Sequence, residues 1–226
     1  MSEITVPGAW RHVDTRFELP RTLTLAADMN GCPNRCRHCY LGQASRARLS
    51  ADDVRWVAGE LCRYVAPGEH GPHITSLTVS SWIREPDNTS DYRALYALEQ
   101  ELSDGPPQRF ELLSVRRLAT DSDYARWAAE IGTTGCQISF FGTGATQDWF
   151  YRRRGAFENC LTATRRLTEV GIRPRWQLFI TRRLLPELDD LLALARAMGV
   201  WTPGALGPGS SRTCHLRTER RGTSRI

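Results

Sequence analysis

Residues 22–40 read TLTLAADMNGCPNRCRHCY, and this stretch contains both the expected first strand and the candidate site. Its first part, from Thr22 to Ala27, is short and apolar, as is typical of a buried strand. A turn-rich loop follows, in which Cys32, Cys36 and Cys39 are separated by three and then two residues. Seven cysteines placed at random would give roughly 0.004 such triplets. The spacing therefore indicates a site and not a coincidence.

Beyond this stretch the chain alternates short apolar runs with longer amphipathic segments. The expected strands are Thr22–Ala27, Ser76–Ser80, Phe110–Val115, Cys136–Phe141 and Trp176–Thr181. Five helices are expected. The first opens at Ser50, with Asp53 as a capping-box partner. The others are Ser90–Leu102, a helix from near Thr120 to Gly132, Ala156–Val170, and a helix from Pro186 to just before Gly199. About five βα units in series predict an α/β fold with a parallel sheet. Ligands of such folds bind at the carboxyl ends of the strands, where the cysteine loop lies.

The chain divides into three parts on this pattern. Residues 1–21 are interpreted as an N-terminal extension, residues 22–199 as the core and residues 200–226 as an irregular tail. The tail has no periodicity and few aliphatic residues, which predicts disorder. A sixth strand is missing where the alternation calls for one, and one hypothesis is that a frameshift or truncation replaced the native C-terminal region.

Composition and charge restrict the function. The formal net charge is +5, but the tail holds five of the 30 arginines and one of the 25 acidic residues, which leaves the rest at +1. A nearly neutral core predicts no nucleic-acid partner. No stretch approaches the ~18 apolar residues of a membrane span, and no signal peptide is evident, so no membrane partner and a cytoplasmic location are expected. The chain has no lysine, which excludes a lysine Schiff base.

Three clustered thiols in a reducing compartment indicate a metal site, and two kinds remain open on the residues alone. Zinc needs a fourth ligand, and His38 would be strained in reaching the ion that Cys39 binds. Cys214 and His215 in the tail are other candidates for that ligand. An iron–sulfur cube accepts three cysteines and leaves one iron open for catalysis.

The string Gly31–Tyr40, GCPNRCRHCY, resembles the signature of the radical S-adenosylmethionine (radical SAM) superfamily. The resemblance implies a partial (β/α)6, TIM-like barrel with an external low-potential electron donor. It also implies that Cys32, Cys36 and Cys39 bind three irons of a 4Fe–4S cluster, while S-adenosylmethionine chelates the fourth. Reductive cleavage of the cofactor's C–S bond would then give a 5′-deoxyadenosyl radical that abstracts hydrogen from the substrate.

The same resemblance assigns cofactor-binding residues. Tyr40 would line the adenine, Ser139 would approach the methionyl or ribose end, and Gln177 would point to the ribose. After the second strand, the family's Gly-Gly-Glu-Pro is here Ile83-Arg84-Glu85-Pro86, so only Glu85 and Pro86 match. Glycine permits close approach of the backbone to a ligand, which Ile and Arg hinder. The segment from 138 to 172 is similar to that of peptide-modifying members, which suggests a peptide or other small-molecule substrate.

Two further functions are compatible with the sequence. One is a non-catalytic remnant of such an enzyme that binds a cluster without turnover, which the missing sixth strand and Ile83-Arg84 favour. The other is a zinc-binding interaction module. Metal content distinguishes them, because a zinc protein is colourless and an iron–sulfur protein is brown.

Overall fold

A computed structural model describes residues 20–27, 32, 34–39, 49–80, 87–106 and 112–200. The expected extension and tail, up to residue 19 and from residue 201, lie outside these residues. In chain order the elements are β1 (Thr22–Ala26), α1 (Ala51–Arg63), β2 (Ser76–Ser80), α2 (Tyr92–Glu101), α3 (Val115–Thr120), α4 (Tyr124–Glu130), β3 (Gly135–Phe140), α5 (Gly144–Tyr151), α6 (Ala156–Glu169), β4 (Arg173–Leu178), a 3-10 turn (Leu185–Glu187) and α7 (Leu188–Ala197).

The first two strands form one parallel pair. Thr22 pairs with Ser76 and Ala26 with Ser80. Parallel strands need a crossover connection, and α1 supplies it. The apolar faces of α1, β2 and α2 form a common core, which includes Val54, Ala58, Leu77, Val79, Leu95 and Leu98. Both strands were predicted, and β2 has the predicted bounds.

Helix α1 begins with the capping box that the sequence predicts. The Ser50 hydroxyl accepts a hydrogen bond from the Asp53 amide at 3.1 Å, and the Asp53 carboxylate accepts one from the Ser50 amide at 2.9 Å. These bonds satisfy two amide groups that lack partners within the helix. They also lower the pKa of Asp53, chiefly through the Ser50 side chain.

Replacing Ser50 with alanine is expected to lower the free energy of unfolding by about 1 kcal/mol, because the Asp53 amide loses its partner. Urea denaturation measures this loss. Ser122, which is exposed in the turn before α4, provides the control Ser122→Ala. Equal losses in the two variants would contradict a capping role for Ser50.

The second parallel pair is formed by β3 and β4. Gly135 pairs with Arg173 and Phe140 with Leu178, and the crossover contains α5 and α6. Alternate residues of β3 are fully buried against α6, including Cys136, Ile138 and Phe140. The intervening Gln137 and Ser139 are only partly buried. The strand therefore has one core face and one polar face.

Two predicted strands need correction. The third, Phe110–Val115, is wrong where the structure describes it, because residues 112–114 form no strand and Val115 begins α3. The buried Ser114 accepts a hydrogen bond from the Arg117 amide at 3.2 Å and thereby caps that helix. The fifth, expected at Trp176–Thr181, corresponds to β4, which begins three residues earlier, just after the turn at Gly171.

The described strands form two separate two-stranded parallel sheets and do not close a barrel. The α/β class with parallel strands is confirmed, while the partial barrel stays a prediction. None of the helices in the described ranges combines the length and apolar character needed to cross a membrane.

Candidate functional site

The described part of the cysteine loop contains all three candidate ligands. Cys32, Cys36 and Cys39 are partly exposed and form no disulfide within the part of the chain that the structure describes. The Cys39 amide donates to the Cys36 carbonyl oxygen at 3.3 Å, so these two cysteines lie in one turn. Cys36 also packs against the core around β3.

Arg37 of this loop is hydrogen-bonded to the C-terminal turn of α5. The Arg37 amide donates to the carbonyl oxygen of Phe150 at 2.8 Å, and its Nε donates to that of Trp149 at 3.0 Å. The carbonyl groups in the last turn of a helix point out of its end and attract positive charge. The structure shows that Arg37 joins two segments.

His38 lies on aromatic rings at the carboxyl ends of β3 and β4. Its ring centroid is 4.0 Å from that of Phe141 and 6.0 Å from that of Phe179, the residues that directly follow the two strands. Burial lowers the pKa of His38 to about 4, so the imidazole is neutral at neutral pH. Its Nδ1 is buried and has no hydrogen-bond partner among the described residues. These contacts bring the loop to the strand ends.

The structure brings Ser139 and Gln177 together, as residues in direct register on the parallel strands β3 and β4. Both are partly buried. The side chain of Gln137 donates to the Gln177 amide oxygen and accepts from Arg175 at 2.7 Å. Sequence reasoning named Ser139 and Gln177 but missed Gln137 and Arg175. Gln137 could have been found from the alternation along β3, which puts it on the same face as Ser139. Arg175 could have been found only from the pairing register of β3 and β4.

Tyr40 and Glu85 lie outside the described residues, and the description of the chain resumes at Asp87. Asp87 is 1% exposed and accepts a hydrogen bond from the Tyr124 hydroxyl. Arg117 donates to the carbonyl oxygens of Asp87 at 2.6 Å and Asn88 at 2.9 Å. Side chains of α3 and α4 therefore hold Asp87 and Asn88 in place.

The donor chemistry of the loop fits an iron–sulfur cluster, because one short loop carries three cysteines. Their present positions are not a completed metal site. Among the described residues, no group of three or more His, Cys, Asp or Glu side chains is arranged so that it could hold a metal ion.

Glu187 holds the other end of α5, and sequence reasoning missed it. Its carboxylate accepts hydrogen bonds from the Thr143 amide at 2.6 Å, the Thr143 hydroxyl at 3.0 Å and the Thr146 hydroxyl. A Cβ on Gly142 would lie 2.6 Å from the Glu187 Oε2, so the approach depends on glycine. Burial alone would raise the pKa of Glu187, but the hydrogen bonds from Thr146 and Thr143 lower it below the ordinary value.

Replacing Glu187 with glutamine is expected to lower the free energy of unfolding by about 1 kcal/mol at neutral pH. Because the pKa is lowered in the folded state, the unfolded chain binds more protons as the pH falls. The stabilisation is therefore present above the ordinary pKa of 4.5 and is lost as the pH falls through the lower folded value.

Urea denaturation of the wild type and Glu187→Gln at neutral and acidic pH tests this expectation. The gap between them should shrink below pH 4.5. The exposed Glu130 gives the control Glu130→Gln, which should show no such gap. A gap that stays constant with pH would contradict a role for the ionised carboxylate.

Comparison with known proteins gives a relative of assigned function. No protein-family model matches the chain. The sequence is 29% identical over 172 residues to the pre-heme d1 synthase of Dinoroseobacter shibae (strain DSM 16493 / NCIMB 14021 / DFL 12), which is 75% of this chain and 39% of the synthase. The chain thus spans about two fifths of the length of this curated relative.

Among solved structures, the crystal structure of Streptococcus suis SuiB bound to precursor peptide SuiA matches with a TM-score of 0.49. The sequence identity is 13%, over 78% of this chain and 37% of that chain. The sequence similarity to the synthase supports, at the level of the superfamily, the relationship to radical SAM enzymes that the cysteine spacing indicates.

Proposed function

We propose that this chain is the core of a radical SAM enzyme that binds a 4Fe–4S cluster through Cys32, Cys36 and Cys39. The observation that carries the proposal is the cysteine spacing on a loop that reaches the carboxyl ends of two parallel strands through His38. Ligands of parallel α/β folds bind at that edge. The similarity to pre-heme d1 synthase supports enzyme status at the superfamily level.

The polar face of β3 and β4 is the proposed site for S-adenosylmethionine. Ser139 and Gln177 are adjacent on that face, and their backbones are fixed by the strand pairing. Tyr40, next to the last cysteine, would line the adenine, and Glu85 would accept a hydrogen bond from the cofactor's amino group. The partial barrel is proposed as the frame that brings these residues together.

The bound cluster would supply one-electron reduction of the cofactor's C–S bond, which yields methionine and a 5′-deoxyadenosyl radical that takes hydrogen from the substrate. The electron comes from an external low-potential donor. We propose a peptide or other small molecule as the substrate, on the resemblance of the segment from 138 to 172. A cytoplasmic location suits the proposal, because thiols that bind metal are kept reduced there.

An anaerobic assay tests the proposed function. The protein is reconstituted with iron and sulfide, reduced with dithionite and given S-adenosylmethionine. We expect a brown protein with about four irons per chain that forms 5′-deoxyadenosine. One equivalent of zinc and no iron would overturn the proposal in favour of a zinc module. Iron without 5′-deoxyadenosine would identify a remnant that binds a cluster without turnover.

A further inference from the structure

Trp149, near the end of α5, contacts two arginines from distant parts of the chain. The guanidinium carbon of Arg37 lies 4.2 Å from the ring centroid and that of Arg183 lies 4.0 Å from it. A guanidinium at this distance over an indole is attracted by the negative face of the ring. Trp149 is also 38% exposed, so core burial alone does not explain its position.

The two residues between Cys36 and Cys39 are those that attach the loop. Arg37 binds the end of α5 through its amide, its Nε and its contact with Trp149. His38 packs on Phe141, whose ring stacks at 4.6 Å on that of Phe150. The two attachments thus lead to Trp149 and Phe150, which are adjacent at the end of α5. Cys36 directly precedes Arg37, and Cys39 directly follows His38.

We infer that Arg37 and Trp149 are positioning residues that hold Cys36 and Cys39 in place for the cluster. This inference rests on the proposed function. It assigns the two residues no contact with the cluster. They act by limiting the movement of the turn that carries two of its three ligands. Residues that orient metal ligands in this way commonly change metal affinity about 10–100-fold when they are replaced.

The rate of iron release tests the inference, because it does not depend on turnover. Wild type, Trp149→Ala, Trp149→Phe and Arg37→Ala are reconstituted anaerobically and mixed with an iron chelator. We expect release from Trp149→Ala and Arg37→Ala to be about tenfold faster than from wild type. Trp149→Phe keeps an aromatic face, so its rate of iron release should be close to that of wild type. Trp56→Ala, at a tryptophan 66% exposed on α1, is the matched control.

A double variant separates positioning from general destabilisation. If Arg37 and Trp149 act through their mutual contact, the variant lacking both should release iron no faster than Arg37→Ala, which already lacks both the ring contact and the Nε hydrogen bond. The electron paramagnetic resonance spectrum of the reduced cluster should change in Trp149→Ala and return in Trp149→Phe. Urea denaturation of the apo proteins shows whether the fold is retained.

The outcomes distinguish the two claims. Wild type that takes up no iron would overturn the proposed function and this role with it. Wild type that holds a cluster, with Trp149→Ala releasing iron at the same rate, would overturn the inference alone. The inference would also be overturned if Trp149→Ala released iron faster, lost stability to unfolding in proportion, and Trp149→Phe did not return the release rate toward that of wild type. Such a result would show that Trp149 has a structural role only.

Discussion

Replacing Cys36 with alanine is expected to remove nearly all of the iron and to abolish 5′-deoxyadenosine formation. The proposed cluster has three protein ligands, and thiolates bind iron far more strongly than any replacement available in an alanine variant. With two ligands left, we expect at most about one tenth of the wild-type iron after reconstitution. Iron and sulfide analysis and the product assay measure the two effects.

Cys62 provides the control for this expectation. It is an exposed free thiol on α1, so Cys62→Ala should keep both iron and product at wild-type levels. Because Cys36 also packs against the core, Cys36→Ser is needed as a variant of similar size. An iron content in Cys36→Ala equal to that of wild type would contradict the assignment of Cys36 as a ligand.

The sequence predicted those elements whose local signals agree with one another. At α1 the serine cap, the acidic residue three positions on and the apolar periodicity all point to one start, and the structure has that start at Ser50. In the expected third strand the signals disagree. The apolar run favours a strand, whereas Ser114 is a good helix cap, and the helix forms.

The residue at which β4 begins and the existence of α5 could not be predicted, for different reasons. The register of β4 is set by its pairing with β3, which begins at Gly135 opposite Arg173, and no local pattern carries that information. Helix α5 has only eight residues and its first residue is glycine, with no side-chain cap. Its position depends on contacts with distant residues such as Glu187.

The candidate site shows the same division. The cysteine spacing is a local pattern, so the ligands were named from the sequence. The attachment of Arg37 to Trp149 joins residues 112 positions apart, and nothing near either residue announces it. Ser139 and Gln177 were named by resemblance, but only the strand register shows that they are neighbours.

Gln147 carries the largest expected effect on stability. It is a fully buried polar residue on α5, and its side chain completes the hydrogen bonding at the end of β3. Its Oε1 accepts from the Phe141 amide at 2.7 Å, and its Nε2 donates to the Ser139 carbonyl oxygen at 2.8 Å. The latter also accepts from the Tyr151 hydroxyl at 3.2 Å, so the Phe141 amide depends more strongly on Gln147.

Replacing Gln147 with alanine is therefore expected to lower the free energy of unfolding by about 3 kcal/mol. An unpaired buried amide costs about 1–3 kcal/mol, and the cavity left by the shorter side chain adds to this. Urea denaturation measures the change. Gln100, exposed on α2, gives the control Gln100→Ala, which should stay within about 0.5 kcal/mol of wild type.

A second variant separates hydrogen bonding from packing. Gln147→Met fills nearly the same volume, but its thioether sulfur is only a weak acceptor for the Phe141 amide, so it should recover mainly the cavity part of the loss. Stability equal to wild type in Gln147→Met would show that packing alone accounts for the effect. Phe141 supports His38 and Ser139 belongs to the proposed cofactor face, so a true hydrogen-bond defect should also weaken binding of S-adenosylmethionine. Loss of stability without any loss of cofactor binding would show that Gln147 supports the core but not the site.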